Sequence, residues 1–274
     1  MTKILCIAAP LSDTGKTVSA INLSAAFAVF EEKTLLVDCS QDNSSLFGAV
    51  VKPPTDPPGL ADALIEPDRN SFADLLLHTR LEYLQVLAAG KGLEQAAADL
   101  SDMEYGRRQF SEMLSVQAKE YEFVILDTPT NLFQVTELAL CSADELLIPV
   151  RVDPGGAEYI EEGLAHIRQM LEKIARLRRE NKTNIRFAGI LINCCDDQVE
   201  AEALLGPDFF SRIQNICLPV CIPEDPRLHE AYWFGKPAVC HDIASPGAGA
   251  FLDLASRWTG AGEKFKADEK EFQP

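Results

Sequence analysis

Basic residues are scarce in this 274-residue chain: 25 Lys and Arg stand against 42 Asp and Glu, a formal charge of −17. Most of such a surface repels a polyanion, so any nucleic-acid contact needs a local basic patch and weakens with salt. Long apolar runs are missing too. None approaches the ~18 residues of a membrane span. The opening "MTKILCIAAP" lacks the flanks of a secretory leader and reads as a first β-strand, so a cytoplasmic location is expected. Histidine is rare, and His78, His166, His229 and His241 show no ligand spacing. The eight cysteines contain no C-x2-C pair; neither Cys194-Cys195 nor Cys217-x3-Cys221 has the spacing of a zinc or redox site. Internal repeats are absent.

What remains is the composition of an ordinary globular domain, 47% apolar and 24% charged. Short apolar stretches alternate with helical patterns: "KILCIAA", "TLLVDC", "LQVLAAG", "FVILDTP", "ELLIPVRV", "FAGILIN" and "VCIPED". Unbroken hydrophobicity marks strands covered on both faces. The fold expected is α/β, a doubly wound, mostly parallel sheet with helices on both faces. Residues 17–32 and 156–180 read as helices, the second carrying an apolar stripe from Ile160 to Leu177. A single domain is expected over 1–260, followed by a charged, frayed tail at 261–274.

Residues 9–17, "APLSDTGKT", sit where a phosphate loop must sit, after the first strand and before the first helix. The strict pattern G-x-x-x-x-G-K-[ST] asks for glycine where Pro10 stands. The backbone from Ser12, Asp13 and Thr14 through Gly15 and Lys16 to Val18 can still cradle anionic oxygens at a helix N-terminus. Lys16 would reach terminal phosphates and the Thr17 hydroxyl would ligate Mg2+. "FVILDTP" ends in Asp127, a carboxylate at a strand end that suits Mg2+ directly or through water. Asp38 ends "TLLVD" within reach of the same ion. Asn193, at the end of "FAGILIN", either recognises adenine through its amide or is a turn residue.

Together these stretches resemble the ParA/MinD group of deviant Walker ATPases, nearly end to end. "YEFVILDTPTNLFQVTELALCSADELLIPV" resembles that family's Walker B segment and the helix after it. "IPEDPRLHEAYWFGKPAVCHDIASPGAGAFLDLA" resembles its C-terminal signature, with Pro223, Glu230, Ala231, Gly235, Pro237, Ser245, Gly247 and Ala248 at matching places. The resemblance implies ATP and Mg2+ as cofactors, an ATP-dependent homodimer, and a ParB-like adaptor or a protein cargo as partner. It also implies that Pro223, Glu224 and Asp225 pack near the base.

Two departures bear on mechanism. The family's loop reads K-G-G-x-G-K-T, and here Leu11 stands at its signature lysine while Ser12 and Asp13 replace two glycines. The aspartate that orients water, two residues after Asp38, is Ser40. Asp42 is a candidate catalytic carboxylate beside Lys16 and Asp38, and Arg151 a candidate replacement charge; surface ion pairs are the alternative for both. The function implied is a partitioning or positioning ATPase for DNA or a protein cargo, the alternative a weakly hydrolysing regulator acting through a protein partner. A ligase of the dethiobiotin synthetase type shares only the G-K-T-V ending. DNA would have to use Arg176, Arg178, Arg179 and Lys182, or Arg212 and Arg227. The tail lacks an apolar stripe for a membrane.

Overall fold

Leucine, valine and isoleucine runs without polar alternation become the strands of one sheet in the computed structural model of this chain. The structure describes residues 2–9, 11–40, 43–50, 52–65, 71–101, 104–130, 134–154, 156–178 and 185–259. Asp42, Arg179, Lys182 and the tail lie outside these residues, as do the side chains of Arg176 and Arg178. The strands are β1 (Lys3–Ile7), β2 (Thr34–Asp38), β3 (Leu76–His78), β4 (Leu84–Leu87), β5 (Phe123–Asp127), β6 (Glu145–Arg151), β7 (Arg186–Asn193) and β8 (Cys217–Ile222). They lie in the order β3-β4-β2-β5-β1-β6-β7-β8. All pairings are parallel except β3 with β4.

The first helices are α1 (Lys16–Val29), α2 (Ser44–Ala49), α3 (Leu60–Ile65), α4 (Leu93–Ser101), α5 (Glu104–Gln117) and α6 (Gln134–Ser142). After them come α7 (Ala157–Arg178), α8 (Gln198–Leu205), α9 (Pro207–Ile213), α10 (Pro226–Trp233), α11 (Ala238–His241) and α12 (Pro246–Thr259). The period of two along each strand sends alternate side chains to opposite faces. Ile4 and Cys6 of β1 join one core with α3 to α9; Leu5 and Ile7 join the other with α1, α2 and α10 to α12. The doubly wound, mostly parallel expectation is met. β3 is an addition: three residues are too few for a periodic signal, and the strand exists through pairing of Leu76 with Leu87 on β4.

Alanines at positions 20, 25, 26 and 28 let α1 lie close to the sheet, where all four are buried. Phe27 stacks on Phe123 of β5 at 3.9 Å and meets the edge of Trp258 from α12 at 6.1 Å. At the amino end of the sheet, Glu145 is buried among Lys3 at 3.6 Å, Arg186, and the Trp258 indole, which donates to it at 2.9 Å. Burial pushes its carboxyl up, but the indole, Arg186 and Lys3 outweigh that and hold it below the usual carboxylate range. The opposite, carboxyl end of the sheet is left for the loops.

Candidate functional site

β1 delivers the chain to that carboxyl end, and α1 leaves it with its N-terminus aimed back. In the loop between them Asp13 has φ 56 and Gly15 has φ 84. Aspartate tolerates the left-handed region better than most residues, which explains how it occupies a place where glycine is expected. Gly15 is tighter. A Cβ there would lie 2.5 Å from Asn193 Nδ2, the amide that donates to Thr14 O at 2.7 Å from the end of β7. Asn193 therefore props the loop from behind, a role the sequence did not suggest. Gly15→Val is expected to cost about 1–3 kcal/mol of stability through strain alone. It should also weaken ATP–Mg2+ binding more than tenfold; thermal melting and calorimetry would check this, and wild-type affinity would refute it.

The loop forms one wall of a cavity of about 930 Å³ at the carboxyl ends of β1, β5, β6, β7 and β8. That is ample for a nucleotide, and strand ends are where open α/β sheets bind ligands. Lys16 is 7% exposed, with Nζ 3.0 Å from Leu11 O and 3.4 Å from Thr130 Oγ1. Burial lowers its pKa, while Asp127 and Asp13 pull it back up. Two buried polar atoms on the cavity wall, Thr14 Oγ1 and Asn193 Oδ1, have no hydrogen-bond partner among the described residues. Buried polar groups are normally satisfied. A positively charged floor, a helix N-terminus and two unsatisfied polar atoms fit a phosphate-bearing ligand with a polar ring.

The carboxylates sit deeper than the sequence suggests. Asp38 accepts from Ser40 N at 2.9 Å, Ser40 Oγ at 3.0 Å and Leu46 N at 3.0 Å, and is fully buried. It does not line the cavity, because the amide of α2 and the Ser40 hydroxyl lie closer to it than open solvent does. Burial and then neighbouring Asp127 push its pKa up to about 7. Asp127, its register partner across β2 and β5, accepts from Ser45 Oγ at 2.7 Å. In front of both, hydroxyls make a chain: Thr17 Oγ1 to Ser44 Oγ at 3.4 Å, then Ser44 Oγ to Ser40 Oγ at 3.0 Å. Ser40, which departs from the family pattern, thus joins the cavity to Asp38. Such a set suits an ion held through water, with Thr17 nearest and the carboxylates behind.

Among the remaining expected residues, Asp13 and Val18 line the cavity, while Ser12 is exposed and lines a smaller adjoining one beside α7. Pro223, Glu224 and Asp225 line the far wall, and Asp225 also caps α10, accepting from Arg227 N and Gly247 N at 2.9 Å each. Arg151 reaches the cavity from the end of β6, with Nε 3.1 Å from an oxygen of Asp153. Leu11 packs on α7: a Cβ on Gly163 would come within 2.7 Å of it. Of the DNA candidates, Arg212 is held by Glu161 at 2.7 Å, and Arg227 by Glu230 at 2.6 Å with Asp242 at 3.6 Å. Both pairs stand at the exposed surface, where such pairs weigh little.

A family model described as an AAA domain matches residues 2–187. The chain is 31% identical over 252 residues to the chromosome partitioning protein ParA of Myxococcus xanthus, covering 92% of this chain and 86% of that one. It is 27% identical over 255 residues to the sporulation initiation inhibitor protein Soj of Bacillus subtilis, covering 93% and 97%. In structure it is similar to the McdA–ATP complex of Cyanothece, with a TM-score of 0.76, 17% identity and coverage of 94% and 96%. It is likewise similar to MinD with Mg-ADP from Pyrococcus horikoshii, with a TM-score of 0.69, 23% identity and coverage of 94% and 96%.

Proposed function

The chain belongs to the ParA/MinD family of P-loop ATPases, and we propose on that premise that it binds ATP–Mg2+, dimerises, and partitions or positions DNA or a protein cargo in the cytoplasm. The observation that carries this reading is Lys16, buried in the floor of a cavity of about 930 Å³ whose wall holds, among the described residues, two unsatisfied polar atoms, Thr14 Oγ1 and Asn193 Oδ1. Bound there, ATP–Mg2+ supplies the phosphoanhydride to be hydrolysed. The backbone from Gly15 to Val18 and the Lys16 ammonium hold the phosphates. Thr17 and Ser44 would hold the metal, with Asp38 and Asp127 behind them. Asn193 Oδ1, Pro223 and Glu224 face the nucleoside. Asp13, Glu94 and Glu224 make the mouth acidic, which favours the metal-neutralised nucleotide over the bare anion.

Turnover is weak and partner-stimulated in this reading. Leu11 is committed to α7 and Ser40 to Asp38, so neither supplies the charge the family uses at those places. Arg151, which lines the cavity, is the candidate substitute. The same two observations favour the second reading, an ATP-bound regulator or assembly factor that acts through a protein partner and hydrolyses little.

Co-sedimentation with non-specific duplex DNA at near-physiological salt separates the two. We expect retention with ATP–Mg2+, little with ADP, and none for Lys16→Ala if DNA is the matrix. Absence of retention in every state, with ATP binding confirmed separately, would overturn the DNA role and leave the partner-driven one. A ParB-like adaptor would then be sought by its stimulation of phosphate release.

A further inference from the structure

The cavity has two ends, and the proposed function leaves α10, which lines one of them, without a role. β1, β6, β7 and β8 are successive neighbours. Three spacings of ~4.8 Å put the ends of β1 and β8 about 14 Å apart, close to the reach of a nucleotide from its terminal phosphate to its base. With the phosphates on Lys16, the base faces the wall that follows β8, which consists of Pro223, Glu224 and α10.

One side chain of α10 stands out on that wall. Trp233 lines the cavity and is 73% exposed, although tryptophan is ordinarily among the most buried residues by area. It is not loosely held. Its indole Nε1 donates to His229 Nε2 at 2.8 Å, one helical turn earlier. His229 and Tyr232 meet it at 78° and 80°, so neither ring lies flat over it. The only polar atom of the side chain is already satisfied, and what it presents is a fixed aromatic face at the cavity rim. Aromatic faces of this kind stack on bases with little regard for base identity.

We infer that Trp233 is the stacking platform for the base of the bound nucleotide, with His229 as the positioning residue that fixes its plane. The inference rests on the nucleotide reading above and adds to it the group that recognises the ring. It selects for a planar base attached to the phosphates, and discriminates a nucleoside triphosphate from inorganic tripolyphosphate.

The chain contains two tryptophans, which makes the test direct. Trp258 is tied to Glu145 at the other end of the sheet and serves as a folding reference. Wild type, Trp233→Ala, Trp233→Phe and Lys16→Ala would be titrated with ATP–Mg2+ and with tripolyphosphate–Mg2+, following tryptophan emission and heat. We expect ATP to quench the emission lost in Trp233→Ala, and tripolyphosphate to leave it unchanged. Trp233→Ala should weaken ATP about tenfold and leave tripolyphosphate within twofold, while Trp233→Phe retains most of the affinity. ATP binding that is sensitive to Lys16→Ala but equal in wild type and Trp233→Ala would overturn the platform and keep the nucleotide site; the exposed indole would then be a protein-docking residue. No ATP binding by wild type would overturn both.

Discussion

Lys16→Ala is expected to lower ATP turnover at least about a hundredfold, a loss near 3 kcal/mol of transition-state stabilisation. The side chain is 7% exposed, and its Nζ lies at the loop itself, 3.0 Å from Leu11 O. Burial lowers its pKa while Asp127 and Asp13 pull it back up, and phosphate oxygens would favour the ammonium further. In a family whose signature lysine is replaced here by Leu11, no second lysine stands in the loop to compensate. Lys16→Met, which keeps the packing of the aliphatic stem, should lose turnover to the same degree while melting close to wild type. Phosphate release measured with and without a stimulating partner would decide. Turnover of Lys16→Ala within threefold of wild type would remove the phosphates from this cavity.

A second large effect concerns pH. The ligand-free protein should melt at a lower temperature as pH rises from about 5.5 to 8, by roughly 4–8 °C for a cost of about 2 kcal/mol. Asp38 is the source. Its folded pKa is raised to about 7, first by burial and then by Asp127, above the ~3.9 of an unfolded aspartate. Between those values the folded state holds a proton that the unfolded state has released, so stability falls as pH climbs through the window. Above it both states are ionised, and the whole cost of burying the charge is felt. Asp38→Asn imitates the protonated acid: its Oδ1 still accepts from Ser40 or Leu46. That variant should flatten the profile and raise the melting temperature at pH 8. A flat wild-type profile, or an unchanged slope in Asp38→Asn, would contradict the burial argument. Glu145 works in the opposite sense at lower pH, since its pKa is depressed and its contribution disappears as pH falls through the folded value.

The strands legible in the sequence were those buried on both faces. β1, β2 and β5 are apolar without a break, and each is found within a residue or two of where its run of letters lies. β3 was invisible because pairing with β4 creates it. In the site, the letters G-K-T and the two strand-end aspartates told which chemistry to expect, but not which way the side chains turn. Asp38 and Asp225 each serve the N-terminus of a helix packed nearby, and such an amide is defined only once the helix is in place. Asn193 holds the loop instead of standing apart from it because β6 and β7 bring it beneath Thr14, a contact 179 residues apart in the chain. Trp233 was readable as a residue and not as a rim: its exposure depends on the turn of α10.

The contact between Leu11 and Gly163 ties the phosphate loop to α7. A methyl at position 163 would press on the Leu11 side chain at 2.7 Å, so a substitution far along the helix would be felt at the loop. A lysine at position 11 whose ammonium turned toward phosphate would leave that apolar notch unfilled. Charge gained at the loop would thus be offset by packing lost on the helix.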